Sequence, residues 1–163
     1  MSRRRASAGG RLTDALIAGL AGSSALNVVT YLDMVLRARP ASGTPEQAAR
    51  RVAEVVRVDL GTGTRAANRS AGLGPLLGYL AAVGASLAFV GVTGRRRPPL
   101  PVAAAALGAT AMLTADGPMA ALGVTDPRRW SRVDWLSDLV PHLAYGVAAA
   151  AVLRRVGTRR GQS

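Results

Sequence analysis

Between Ser70 and Gly94 the chain reads SAGLGPLLGYLAAVGASLAFVGVTG, a run whose sole ionisable side chain is Tyr79. A bilayer core about 30 Å thick needs roughly 20 predominantly apolar residues to cross it as a helix. The run meets that length. Its glycines, alanines and serines are also the residues that let helices approach closely in lipid, where hiding apolar surface from the surroundings gains little. A chain carrying such a run is a membrane chain, and similar runs are expected around it.

Three others are present. Ala15 to Leu32 is uncharged, with the helix continuing to about Leu36, and Pro98 to Ala115 is the third. The fourth, Leu139 to Leu153, is too short alone and reaches full length only if its helix begins near Arg132. That start draws Asp134 and Asp138 into its first turns. The pattern predicts an all-α integral membrane four-helix bundle in one domain, with helices over about 13–36, 70–94, 99–120 and 132–154.

Basic residues before the first apolar run suit a secretory signal, and Ser2-Arg3-Arg4 suits a twin-arginine one. Ala6 and Ser7 stand where that signal carries large apolar residues, and the run continues well past signal length. The segment is therefore read as a retained first helix.

Between the first two spans, Thr44-Pro45-Glu46 has the form of a helix start, with a capping hydroxyl, proline at the first position and an acid in the first turn. Ala48, Ala49, Val52, Val55 and Val56 recur at helical spacing, with Arg50, Arg51, Glu54 and Arg57 on other faces. An amphipathic surface helix over about 44–60, ended by Gly61 and Gly63, follows. Arg95-Arg96-Arg97-Pro98-Pro99 is a tight turn, and Trp130 and Trp135 suit an interfacial aromatic belt.

Composition agrees. Aromatic residues are only 4% of the 163, fewer than a soluble core of this size would use. The net charge of +12 comes from arginine alone, gathered at Arg3 to Arg5, Arg95 to Arg97, Arg128 and Arg129, and Arg154, Arg155, Arg159 and Arg160. Clusters between uncharged runs fit anionic lipid headgroups rather than nucleic acid, which is not an expected partner. A membrane-protein partner or a homo-oligomer is compatible with Gly74/Gly78, Ala15/Gly19 and Gly78/Ala82/Ser86, read as packing seams. Arginine numbers divide almost evenly between the two sides, 11 against 10. The termini and second loop carry almost no acid, however, and their arginines abut the helix ends. Both termini are therefore expected in the cytoplasm of a cell whose inner (plasma) membrane holds the chain.

In a four-helix serpentine, the ends of the first and third helices and the start of the fourth share one side. Asp33, Asp116, Asp134, Asp138 and His142 lie there. On the last helix Ser131, Asp134, Asp138, His142 and Tyr145 fall within about an 80° arc, and Asp138 and His142 are i, i+4 neighbours. Pro141 between them removes one helix hydrogen bond, kinks the chain and leaves the carbonyl near Ser137 in need of a donor. Ionisable groups in a bilayer are costly and mark function by default. Each also has a structural reading: Asp33 bridging Arg37, Ser131 and Asp134 as a capping box, Asp116-Gly117-Pro118 as a helix break, and Asp138 with His142 as interhelical glue.

Ser137-Asp138-Leu139-Val140-Pro141-His142-Leu143-Ala144-Tyr145 resembles the last-helix pattern of the YagU-type inner-membrane proteins, in which a serine and an acid precede a membrane histidine followed by leucine and an aromatic. Pro141 departs from that pattern. Leu122-Gly123-Val124-Thr125-Asp126-Pro127 is similar to stretches in small actinobacterial membrane proteins. The resemblance implies the membrane class, highlights Asp138 and His142, and brings no activity with it.

No cysteine is present, and there is no Gly-x-Ser-x-Gly elbow, P-loop or dinucleotide fingerprint. The chain is read as a non-enzyme without cofactor or resident metal, since one histidine makes no conventional zinc site, although Asp138 and His142 supply two ligands of a weak one. Two functions are expected to compete. In the first, a cluster of Asp138, His142, Asp33, Asp116 and Tyr145 responds to protons or binds a small polar ligand or ion, with Asp138 pairing the imidazolium of His142 and Pro141 as a flexing point. In the second, the chain is a structural or assembly subunit docking a membrane partner.

Overall fold

The computed structural model describes residues 8–94 and 96–162, with no side-chain detail at 8 or 157–162. The basic residues Arg3 to Arg5 and Arg95, and the side chains of Arg159 and Arg160, lie outside the described residues. Among those described, all regular structure is helical: α1 (Ala8–Arg37), α2 (Thr44–Val55), α3 (Gly63–Thr93), α4 (Leu100–Ala121), a 3-10 turn (Pro127–Arg129) and α5 (Arg132–Gln162). Four of them, α1, α3, α4 and α5, are long and apolar enough to cross a membrane. The chain is a multi-pass membrane protein built as a four-helix bundle.

The four spans form a square in which α1 packs on α3 and α5, and α4 packs on the same two. Its interior is made of small residues. Ala18, Ala82, Ala85, Ala104, Leu107 and Ala149 are buried, whereas Leu16, Leu36, Leu80, Val92, Leu113 and Leu136 face outward. Large apolar side chains outside and alanine inside is the arrangement lipid favours, because close backbone approach, not apolar burial, holds the helices together. At Gly19 a Cβ would stand 2.7 Å from Val83 Cα, and at Gly22 it would stand 2.5 Å from the Tyr145 ring. These two glycines seat α1 on α3 and α5. Of the small residues expected to form seams, Ala82 and Ser86 are buried, but Gly78 has nothing within 4 Å of a Cβ placed there.

Helix α2 lies along the start of α3, burying Ala48, Ala49 and Ala53. A Cβ at Gly74 would come within 2.7 Å of the Pro45 backbone, and Arg50 Nε donates to buried Ser70 Oγ at 3.2 Å. The surface helix is shorter than expected. It ends at Val55, where Arg57 turns the chain at φ +57°, and α3 starts at Gly63, about two turns before Ser70. Its cap also differs: the Thr44 backbone N–H donates to Ser42 Oγ at 3.2 Å, and the Thr44 side chain makes no cap bond. Arg51 Nε donates to the Leu122 carbonyl at 3.3 Å, tying α2 to the end of α4.

Asp116-Gly117-Pro118 is not a helix break, since α4 runs through it to Ala121. The entry to α5 has the capping box expected of it. Ser131 N donates to Asp134 Oδ2 at 2.9 Å, and Asp134 N donates to Ser131 Oγ at 3.2 Å. Trp130 and Trp135 meet edge to face at this end, their centroids 5.0 Å apart.

Candidate functional site

Three polar side chains converge near the end of α4 and the start of α5. Asp116, Asp138 and His142 each offer one donor atom, and these atoms lie within 4.8 Å of one another. The backbones come close enough for this because glycines line the contact between the two helices. A Cβ at Gly108 would stand 2.8 Å from the His142 carbonyl oxygen, and one at Gly146 would run into the Ala104 carbonyl.

His142 is only 7% exposed. Its Nδ1 lies 2.8 Å from the Asp138 carbonyl oxygen and 3.4 Å from Asp138 Oδ1. A carbonyl only accepts, so Nδ1 carries the hydrogen, and in the neutral ring Nε2 keeps the lone pair. Pro141 has no N–H for the Ser137 carbonyl, but the carbonyl the imidazole binds is that of Asp138, which the proline does not free.

The carboxylates are less well provided for. Asp116 Oδ2 and Asp138 Oδ2 are both buried from solvent, and neither has a hydrogen-bond partner. A buried polar atom without a partner ordinarily costs about 1–3 kcal/mol, more when charged. Two such oxygens beside one imidazole make a site short of positive charge.

The remaining sequence candidates separate from these three. Asp33 does not join the cluster. It is held by Arg37 Nη1 at 3.2 Å and Arg39 Nε at 2.5 Å, and Arg37 also donates to Ser137 Oγ at 2.5 Å. The Arg37 contact is the helical pair the spacing allowed. Arg39 was not foreseen: it folds back because Ala38 turns the chain at φ +48°. Tyr145 is fully buried and serves packing. Its hydroxyl donates to the Ala82 carbonyl at 2.5 Å and accepts from Ser86 Oγ at 2.7 Å, bridging the diagonal between α5 and α3.

A cavity of about 330 Å³ opens between α1 and α5, lined by Val29, Asp33, Arg37, Val133, Leu136, Ser137, Val140 and Pro141, and none of the three cluster residues lines it.

No protein family, curated protein sequence or solved structure matches the chain. The reading of the site rests on its own chemistry.

Proposed function

We propose that this protein loads and releases cations, protons among them, at the Asp116–Asp138–His142 site between α4 and α5. One observation carries the reading: Asp116 Oδ2 and Asp138 Oδ2 are buried side by side with no donor to either. In a membrane such oxygens are retained only against a cost, and natural chains keep uncompensated groups where function needs them. Arg37 of the adjacent α1 is engaged by Asp33 and Ser137. The missing positive charge therefore has to be taken up from outside.

The sign of a stability change tests this. In a metal-free nanodisc at neutral pH, Asp116→Asn supplies an amide donor to Asp138 and removes a charge. An empty loading site should melt higher after that substitution, by about 2–4 °C for each 1 kcal/mol in a chain of this size. Interhelical glue should melt lower, and that result would return the chain to the structural-subunit reading.

Both termini face the cytoplasm in this reading, and the site opens toward the outer face of the inner (plasma) membrane. Arg11, Arg96, Arg97, Arg154 and Arg155 at the ends of the spans on the termini side support it, as do the acids in the loops on the other side. Anionic headgroups are the partners of those arginines. With no native cysteine, Ala41→Cys should react with an impermeant thiol reagent in intact cells and Arg96→Cys should not. The reverse pattern overturns the orientation.

A further inference from the structure

We propose that the cation taken up is a divalent transition metal, bound by one carboxylate oxygen each from Asp116 and Asp138 and by the His142 imidazole. This rests on the loading-site reading above and specifies its ligand.

Three features of the cluster select that class. The first is charge. Two carboxylates and a neutral imidazole are balanced by one divalent ion, whereas a monovalent ion leaves a negative charge among membrane helices. The second is donor type. An imidazole nitrogen with two carboxylate oxygens suits zinc, manganese, iron, cobalt or nickel, whereas magnesium and calcium prefer oxygen alone. The third is preparation of the histidine. Metal-bound imidazoles almost always donate their second ring N–H to a carbonyl or carboxylate. His142 Nδ1 already does so, to the Asp138 carbonyl, which leaves Nε2 for the metal.

Spacing agrees with these features. Each of the three residues offers a ligand atom within 4.8 Å of the other two, and rotation of the side chains is what would bring Nε2 and the carboxylate oxygens onto metal bonds of about 2.0–2.2 Å. The two unpartnered oxygens, Asp116 Oδ2 and Asp138 Oδ2, are the atoms such an ion would satisfy. Three protein ligands leave at least one position open. Structural zinc sites are closed by four protein ligands, whereas an open position lets an ion exchange. The site is therefore one for an ion that comes and goes. When the carboxyl and imidazole groups hold protons, the entering metal displaces them, so loading is coupled to proton release.

The test uses the full chain in nanodiscs, purified through a tag without histidine and stripped with a chelator. Cobalt(II) is titrated in, and its visible absorption reports coordination by nitrogen and oxygen; zinc(II) is then added as competitor. The expected result is saturable 1:1 binding, reversed by zinc. Affinity should fall at least tenfold in Asp116→Asn, Asp138→Asn and His142→Gln and stay unchanged in Asp134→Asn, which touches only the helix cap. Circular dichroism and elution volume verify that each variant is folded. Binding that survives all three substitutions, or no saturable binding at all, overturns the metal assignment. If no metal binds yet Asp116→Asn still raises the melting temperature, the loading site stands with protons as its occupant. If no metal binds and that variant melts lower, both readings fall.

Discussion

Gly146 of α5 lies so close to the carbonyl oxygen of Ala104 on α4 that a single added carbon has no room. One turn along α5, Gly108 of α4 stands in the same relation to the His142 carbonyl, at 2.8 Å from a Cβ. Packing at these two glycines sets the distance at which Asp116 can meet Asp138 and His142.

Gly146→Ala is therefore expected to force α4 and α5 apart, destabilising the bundle by about 1–3 kcal/mol or more, as overpacking does. The same change should weaken cobalt binding although it removes no ligand. Gly78→Ala is the matched control: nothing lies within 4 Å of its Cβ, and its effect should stay within about 0.5 kcal/mol. Reversible unfolding in bicelles measures both. Equal effects from the two would show that the α4–α5 contact is not the close one.

Tyr145→Phe keeps the ring against Gly22 but removes the hydroxyl that joins Ser86 and the Ala82 carbonyl. Interhelical hydrogen bonds in membranes average about 0.6 kcal/mol and reach about 1.7. A loss within that range is expected, together with undiminished metal affinity. A tenfold loss of cobalt affinity would instead make Tyr145 part of the site.

Ala38 ends α1 in the left-handed region, where glycine is the usual residue. Arg39 N donates to the Met34 carbonyl across this turn, and the Arg39 side chain returns to Asp33. A side chain in that conformation costs roughly 1–2 kcal/mol. Ala38→Gly should recover about 1 kcal/mol in the unfolding measurement. A destabilised variant would mean that the turn is not formed at Ala38.

The spans were legible because charge-free length is dictated by the bilayer. Where that constraint lapses, so does the reading. Gly63 to Arg69 belongs to α3, yet its Arg65, Asn68 and Arg69 lie beyond the charge-free run, so bilayer length gives no signal for it. The serpentine placed Asp33, Asp116 and Asp138 at one level, but level does not fix the direction in which each side chain turns. Asp33 turns to Arg37 and Arg39, and the second of these depends on a positive φ at an alanine, for which the sequence carries no mark. Tyr145 shares an arc with His142 on one helix, but its partner Ser86 lies across the bundle, and no spacing on α5 could reveal it. The approach of Asp116 to Asp138 and His142 depends on the packing at Gly108 and Gly146, which no spacing on either helix reveals.

Asp116, Asp138 and His142 all belong to one helical hairpin, α4 and α5 with the connection between them. Closing the short connection between α4 and α5 takes little loop entropy, which grows only slowly with length. Contacts this local form early, ahead of pairings between distant parts of a chain. The polar site is thus a product of the local packing of α4 on α5. The Tyr145–Ser86 bond ties that hairpin to α3, outside the three polar side chains.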